Sequence, residues 1–279
     1  TFEPELSDHI RQSEVCATCH TLFTKALDKH GREIGELAEQ AVYLEWKHSA
    51  YETEQQSCQS CHMPVVPHDT PISSVMGDPR PGFARHTFVG GNFFMLRMLN
   101  KYRVDLGVKA LPHEMEASVQ RTLQNLQQST ARVSVERVES TGGRLNFSVN
   151  VTNRSGHKLP TGYPSRRVWL HVTVTDRSGR SVFESGAIAP SGAIAGNDND
   201  TDGLRYAPHY AETRTPEQGQ IYESVMVDGD GAVTTGLLSG VRYIKDNRLL
   251  PRGFDKSTAS KDVAVFGEAR QDPDFVGGR

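Results

Sequence analysis

The sequence predicts an α+β fold in two parts, mainly helix and loop over about residues 1–130, then an antiparallel β-sandwich-like part over about 131–279. Apolar residues recur at helical spacing only in the first part, strict apolar/polar alternation begins near Ala131, and a proline-rich stretch at 63–85 belongs to neither pattern. Residues 33–49 carry Ile34, Leu37, Ala38, Ala41, Val42, Leu44 and Trp46 near helical spacing, so a helix is expected there, with His30 on a short helix before it. Residues 92–102 (Phe93, Phe94, Leu96, Met98, Leu99) predict a second. Pro112 opens a third, whose stripe Met115, Val119, Leu123 and Leu126 is buried. Prolines 64, 67, 71, 79 and 81 exclude helix and central strand from 63–85.

Leu145, Phe147, Val149 and Val151 alternate with polar residues, as do Val168, Leu170, Val172 and Val174, which predicts half-buried antiparallel strands. Asp176 to Gly179 turns the second run into 181–183 as a hairpin, and shorter strands are expected at 220–227, 237–244 and 263–266. The chain stops at Gly277, Gly278, Arg279 directly after a strand-like run, which reads as a truncated second part.

Charge and hydropathy exclude some partners. A net charge of −3 lacks the positive excess that phosphate backbones demand, so nucleic acid is not an expected partner. No run approaches the roughly 18 apolar residues of a membrane span, and Thr1 opens without a charged and apolar leader, read as an export signal already removed. At 36% hydrophobic residues the chain is lean for a folded protein, which suggests that something besides side chains fills part of the core.

All four cysteines fall in two copies of one pattern, Cys16-Ala17-Thr18-Cys19-His20 and Cys58-Gln59-Ser60-Cys61-His62. In C-x-x-C-H the thiols form thioethers to haem vinyl groups and the adjacent His ligates the iron. Two haem c groups are therefore expected, held by Cys16, Cys19, His20 and by Cys58, Cys61, His62. A four-Cys zinc site or thioredoxin-like pairs are the competing readings, but zinc leaves the repeated His unexplained and no βαβ pattern surrounds either pair. Covalent haem attachment occurs outside the bacterial cytoplasm, so a periplasmic or extracellular location is expected.

The two C-x-x-C-H sites, with WKHSAY at 46–51 leading into CQSCHMP at 58–64, resemble the exported multihaem cytochrome c proteins of respiring bacteria. HTFVGGN at 86–92, GHKLPTG at 156–162 and KDNRLLPRGF at 245–254 share the likeness, which covers nearly the whole chain. The resemblance implies a dihaem module followed by a β-sandwich, working in electron transfer with redox partner proteins, alone or as a homo-oligomer or array.

Two irons need up to two further axial ligands, and the remaining histidines are 9, 30, 48, 68, 86, 113, 157, 171 and 209. His86 is favoured because it joins the proline-rich loop to an apolar helix, with Gly90 and Gly91 allowing close backbone approach to a flat cofactor. His157 stands in a loop leaving the strand that ends at Val151 and could reach across to the first part; the alternative is a loop-supporting hydrogen bond. His209 and His48 are reserves, and His171, off the apolar face of its strand, reads as a wet residue. Asp198, Asp200 and Asp202 with Gly203 match the first half of an EF-hand loop and are a candidate Ca²⁺ site, equally readable as a solvated turn.

The leading expectation is an electron carrier with two bis-His, low-spin irons. The alternative is a haem enzyme with one open iron, reducing peroxide or a small nitrogen or sulfur compound.

Overall fold

The computed structural model describes residues 5, 7–73 and 75–278. The first attachment motif starts in a short helix, α1 (Glu14–Ala17), and leads into a hairpin of β1 (Leu22–Leu27) and β2 (Glu33–Gln40). Short helices α2 (Val42–Lys47), α3 (Ala50–Thr53) and α4 (Cys58–His62) follow. The hairpin corrects two expectations, the helix at 33–49 and the short helix at His30. The Asp28 carboxylate accepts the amides of His30 and Arg32, and Gly31 takes φ +76°, so a tight turn forms where the periodicity alone suggested helix. Antiparallel pairing then buries Ala26 and Leu37 on one face, and only α2 survives of the expected helix.

The described residues of 63–85 form neither helix nor strand, as the prolines require. The loop is closed at its base by Val66 and Phe83 and midway by reciprocal bonds between Thr70 and Arg80. α5 (Phe93–Lys101) begins where the Asn92 side chain accepts the Met95 amide, and α6 (Pro112–Gln128) has proline in its first turn. The Glu114 carboxylate accepts the Leu111 amide, and Met115, Val119 and Thr122 supply the buried stripe of α6.

The change of period at Ala131 is a change of structure. β3 (Ala131–Thr141) pairs antiparallel with β4 (Arg144–Asn153). The expected continuous strand at 168–174 divides into β5 (Val168–Trp169) and β6 (Val172–Thr175), and β6 pairs with β7 (Ser181–Ser185) around the Asp176–Gly179 turn. The break has a local cause. Gly186, at φ +70°, lies so close to the Leu170 carbonyl that a Cβ there would stand 2.1 Å from its oxygen, and the chain changes partner at that point. Gly186→Ala is expected to destabilise the fold by more than about 1 kcal/mol through positive φ and this collision, measured by urea unfolding.

β5 pairs instead with β8 (Ile221–Tyr222), while β9 (Ser224–Val227) lies between β10 (Val233–Thr234) and β11 (Arg242–Asp246). The expected strand at 263–266 is a 3-10 turn ending at Val263, with one bridge from Phe266 to Asp246. The fold is therefore mixed helix and antiparallel strand, its described strands distributed over five small sheets. The alternating apolar positions of β3 and β4 (Val133, Val135, Phe147, Val149) and of 170–174 (Leu170, Val172, Val174) line one cleft of about 440 Å³.

The main core is shared by both halves of the chain. Leu249, Leu250, Phe254, Val263, Val265 and Phe275 pack with Val151 and Leu159, and Ala38, Ala41 and Leu44 join them from the first part. The Tyr243 hydroxyl donates to the Ala38 carbonyl, and Arg252 pairs with Glu54. No helix among the described residues is long and apolar enough to cross a membrane.

Candidate functional site

Both C-x-x-C-H segments curl into a turn that brings cysteine and histidine to one side. The His20 amide donates to the Cys16 carbonyl at 3.0 Å, and α4 itself is the second segment. The two are stitched together. The buried Ser13 hydroxyl accepts the Cys58 amide at 3.1 Å, and the Gln59 side-chain amide donates to the carbonyls of Ile10 and Gln12. Burial, then the neighbouring Cys58, pushes the Cys16 thiol above the usual thiol range. None of the four cysteines is in a disulfide, and Cys19 and Cys61 are exposed.

Each motif histidine is oriented through Nδ1, His20 by the Gln40 side-chain oxygen at 3.1 Å and His62 by the Val89 carbonyl at 2.5 Å. A fixed Nδ1 leaves Nε2 as the free nitrogen, the arrangement in which a hydrogen bond at one ring nitrogen aims the other at a metal. Across from His62 stands His157. The two rings are 6.2 Å apart between centroids, with planes inclined by 16°. His157 Nδ1 faces the Lys158 carbonyl, and burial lowers its pKa, favouring the neutral ring. Two imidazoles bound to opposite sides of one metal ion, each about 2.0–2.1 Å from it through a nitrogen about 1.1 Å from the ring centre, have centroids about 6.2–6.4 Å apart. The His62/His157 separation meets that requirement. Apolar surface lies beside the pair: Val65 follows His62 by three residues, Phe88 precedes the anchoring Val89, and both are exposed. These residues fit an iron-centred, flat and largely apolar group bound by thioethers.

The loop bearing His157 is held on every side. A Cβ on Gly156 would meet Trp46 at 3.2 Å and Tyr51 at 3.6 Å, so glycine lets the loop dock against the segment preceding α4. The Tyr51 hydroxyl donates to the Arg154 carbonyl, and the Asn153 side-chain amide donates to the carbonyls of His157 and Leu249. Leu159 and Leu249 exchange reciprocal backbone bonds, which joins the stretches 156–162 and 245–254.

Beneath this loop lies a charge network that sequence reasoning missed. Lys158 Nζ is 2.7 Å from Asp246; Arg248 forks onto the same carboxylate and reaches Glu45 at 2.8 Å; the Glu45 carboxylate also accepts the Lys158 amide. Two cations and two anions balance in a site where the Lys158 side chain is 0% and that of Asp246 3% exposed. Burial would raise the Asp246 carboxyl, but Arg248 and Lys158 overcome it and hold the group down to about 2. The available signal was the charged KDNR beginning at Lys245, inside an otherwise apolar C-terminal run.

The other candidates are placed as follows. His86 is exposed with its ring beside Phe88, three residues before the Val89 carbonyl that holds His62 Nδ1, so the segment carrying His86 lies on the Nδ1 side of His62. His48 holds the Leu44 carbonyl through Nδ1, leaving Nε2 free. The reserve His209 is buried and has partners at both nitrogens, Nε2 to Asp272 and Nδ1 to the side-chain amides of Gln220 and Asn247. His171 pairs with Glu184 on an exposed strand face. The carboxylates of the Asp198–Asp200 turn serve separate partners. Asp200 takes Arg167 and the Ile194 amide, Asp202 takes the Leu204 amide, and Asp198 lies 3.8 Å from Arg205. Among the described residues no three His, Cys, Asp or Glu side chains converge as a metal-holding group.

Comparison with models of known protein families, with curated proteins and with solved structures finds no match.

Proposed function

We propose that the chain is a dihaem c-type cytochrome that transfers electrons in an extracytoplasmic respiratory chain. The observation that carries the reading is the pairing of His62, from the second C-x-x-C-H, with His157, from a loop nearly a hundred residues later, at 6.2 Å and with near-parallel planes. Bound haem supplies a one-electron Fe(III)/Fe(II) couple. The chain's own residues do the rest. Cys16, Cys19, Cys58 and Cys61 would hold the groups covalently, Gln40 and Val89 hold His20 and His62 in one tautomer, and His62 and His157 together would hold the second iron. The hydrogen bonds that tie the two motifs together, from the Cys58 amide to Ser13 and from Gln59 to the Ile10 and Gln12 carbonyls, support two adjacent haems exchanging electrons within one chain. His86, on the Nδ1 side of His62, and His48, with a free Nε2, are the candidates for the first iron. The second part, read as β-sandwich-like, supplies the loop that carries His157 and serves as a docking or assembly module for redox partner proteins. Asp198, Asp200 and Asp202 remain a candidate Ca²⁺ turn, one whose carboxylates would first release Arg167 and the amides they now hold.

The attachment itself has a direct test. Mass spectrometry of the denatured protein is expected to give the 30.8 kDa chain plus two haem groups. One group or none overturns the assignment. Cys61→Ala is expected to leave a single thioether at the second site and a shifted pyridine haemochrome band.

The second reading, an enzyme with one open iron, differs at His20, across from which no described imidazole stands as His157 stands across from His62. A low-temperature EPR spectrum of the oxidised protein separates the two. Two low-spin signals support the carrier; one high-spin signal supports a haem that binds peroxide or a small nitrogen or sulfur compound.

A further inference from the structure

We infer that the free edge of β3 is the seam of a symmetric homodimer, in which residues 132–136 of two copies pair antiparallel and join their hairpins into one four-stranded sheet. The inference is independent of the haem reading.

It begins with an edge. β3 and β4 form a two-stranded sheet, so β3 has one side without a strand partner among the described residues. The Arg154 amide donates to the Thr130 carbonyl, and over residues 131–136 β3 pairs with β4 in a register that keeps even residues opposite even and odd opposite odd. In an antiparallel ladder the even-numbered residues of β3 therefore bond to β4, while Ala131, Val133 and Val135 aim their N–H and C=O groups at the open edge. Such a row is a template for another strand. The side chains there are accessible as well: Val133 and Val135 are 59% and 60% exposed, on an isolated hairpin of a kind that is marginal without further cover.

The sequence of the edge says what the occupant is. Placed about a two-fold axis at Ser134, two copies of β3 put Val133 opposite the partner copy's Val135 and Arg132 opposite the partner copy's Glu136. Ser134 meets itself. Each valine pair is a hydrogen-bonded pair, as the outward-facing odd residues require, and each Arg/Glu pair lies on the other face, where both residues are exposed. The strand is thus complementary to its own reversed copy in hydrogen bonding, in apolar contact and in charge, the condition for an isologous interface. The regular stretch ends where the dimer would need it to end. The ladder with β4 shifts register between Glu136 and Glu139, and Arg137 takes φ +52°, so the edge bends away after six paired residues. Five residues a side bury less than the roughly 800 Å² per partner of a standard interface, so the association is expected to be concentration-dependent.

Sedimentation equilibrium of the full chain from about 1 µM to about 1 mM is expected to show the mass rising toward twice 30.8 kDa. Arg132→Glu and Glu136→Arg each set like charges opposite one another twice and are expected to weaken association at least about tenfold, about 1.4 kcal/mol; the double variant is expected to recover to within about threefold. A second measurement does not depend on those charges. In a non-hydrogen-bonded pair the Cα atoms lie about 4.5 Å apart, inside the disulfide range, so Ser134→Cys is expected to oxidise to a covalent dimer while Ser140→Cys, beyond the bend, is not. A monomer across the whole concentration range, single variants that associate like the parent, or equal cross-linking at 134 and 140 would each overturn the seam. So would an assembly larger than two, which points to a different surface.

Discussion

His157→Ala in the full haem-loaded chain is expected to turn one of two low-spin irons high-spin, removing about half of the low-spin EPR intensity while the mass still reports two haems. Loss of an axial imidazole leaves weak-field water or no ligand, and added imidazole is expected to restore the low-spin signal because Gly156 and Asn153 still shape the loop. The potential of that haem is expected to rise, since axial ligation governs a range of about 0.8 V. His209→Ala provides the contrast. Its imidazole is spent on Asp272, Gln220 and Asn247, so the variant is expected to lose stability and keep both low-spin signals. An unchanged spectrum in His157→Ala rejects the His62/His157 assignment.

Asp246→Asn is expected to cost the fold about 3–5 kcal/mol, the range for removing one member of a buried ion pair. The substitution keeps the shape but leaves Lys158 and Arg248 with Glu45 alone as counter-charge, in a place water does not reach. The same carboxylate sets an acid limit. Its folded pKa of about 2 lies below the unfolded value of about 3.9, so its contribution is complete above pH 4 and is lost as pH falls from about 4 through 2, amounting to about 2–3 kcal/mol. Urea unfolding at pH 7, 4 and 2.5 is expected to show this loss in the parent and a smaller one in Asp246→Asn. Equal acid sensitivity in the two proteins would mean that Asp246 is not the responsible group.

The site was legible in the sequence to the extent that its chemistry is local. C-x-x-C-H is five consecutive residues, and a lone His in a Gly- and Pro-bounded loop is visible without coordinates. That His157 stands across from His62 depends on the docking of Gly156 against Trp46 and Tyr51, a contact between distant segments that spacing does not encode. The fold shows the same division. α5 and α6 followed from apolar residues at helical spacing, with Pro112 marking the start of α6, and the 176–179 hairpin from its turn residues, all short-range signals. The stretch 33–40 misled because Ile34, Leu37, Ala38 and Ala41 satisfy a helical period while the turn at Asp28–Gly31 commits the chain to a strand. The strand at 168–174 looked continuous because its break is imposed by Gly186, sixteen residues after Leu170. Buried Lys158, Asp246, Arg248 and Glu45 read as surface residues because no single-residue rule buries a charge; only their mutual neutralisation does.

The core shared between the two halves also sets an order of events in the life of the chain. Ala38 is bonded to a tyrosine 205 residues further on, Glu54 to an arginine 198 further on, and Glu45 to the Lys158 amide 113 further on. Contacts of such sequence separation form slowly, because a long loop must close before any of them contributes. A chain emerging from its N-terminus therefore presents Cys16, Cys19, Cys58 and Cys61 long before the residues that complete the fold around them exist. The thiols are open to any agent that must reach them during that interval, and closure waits on the segment that carries Tyr243 and Arg252.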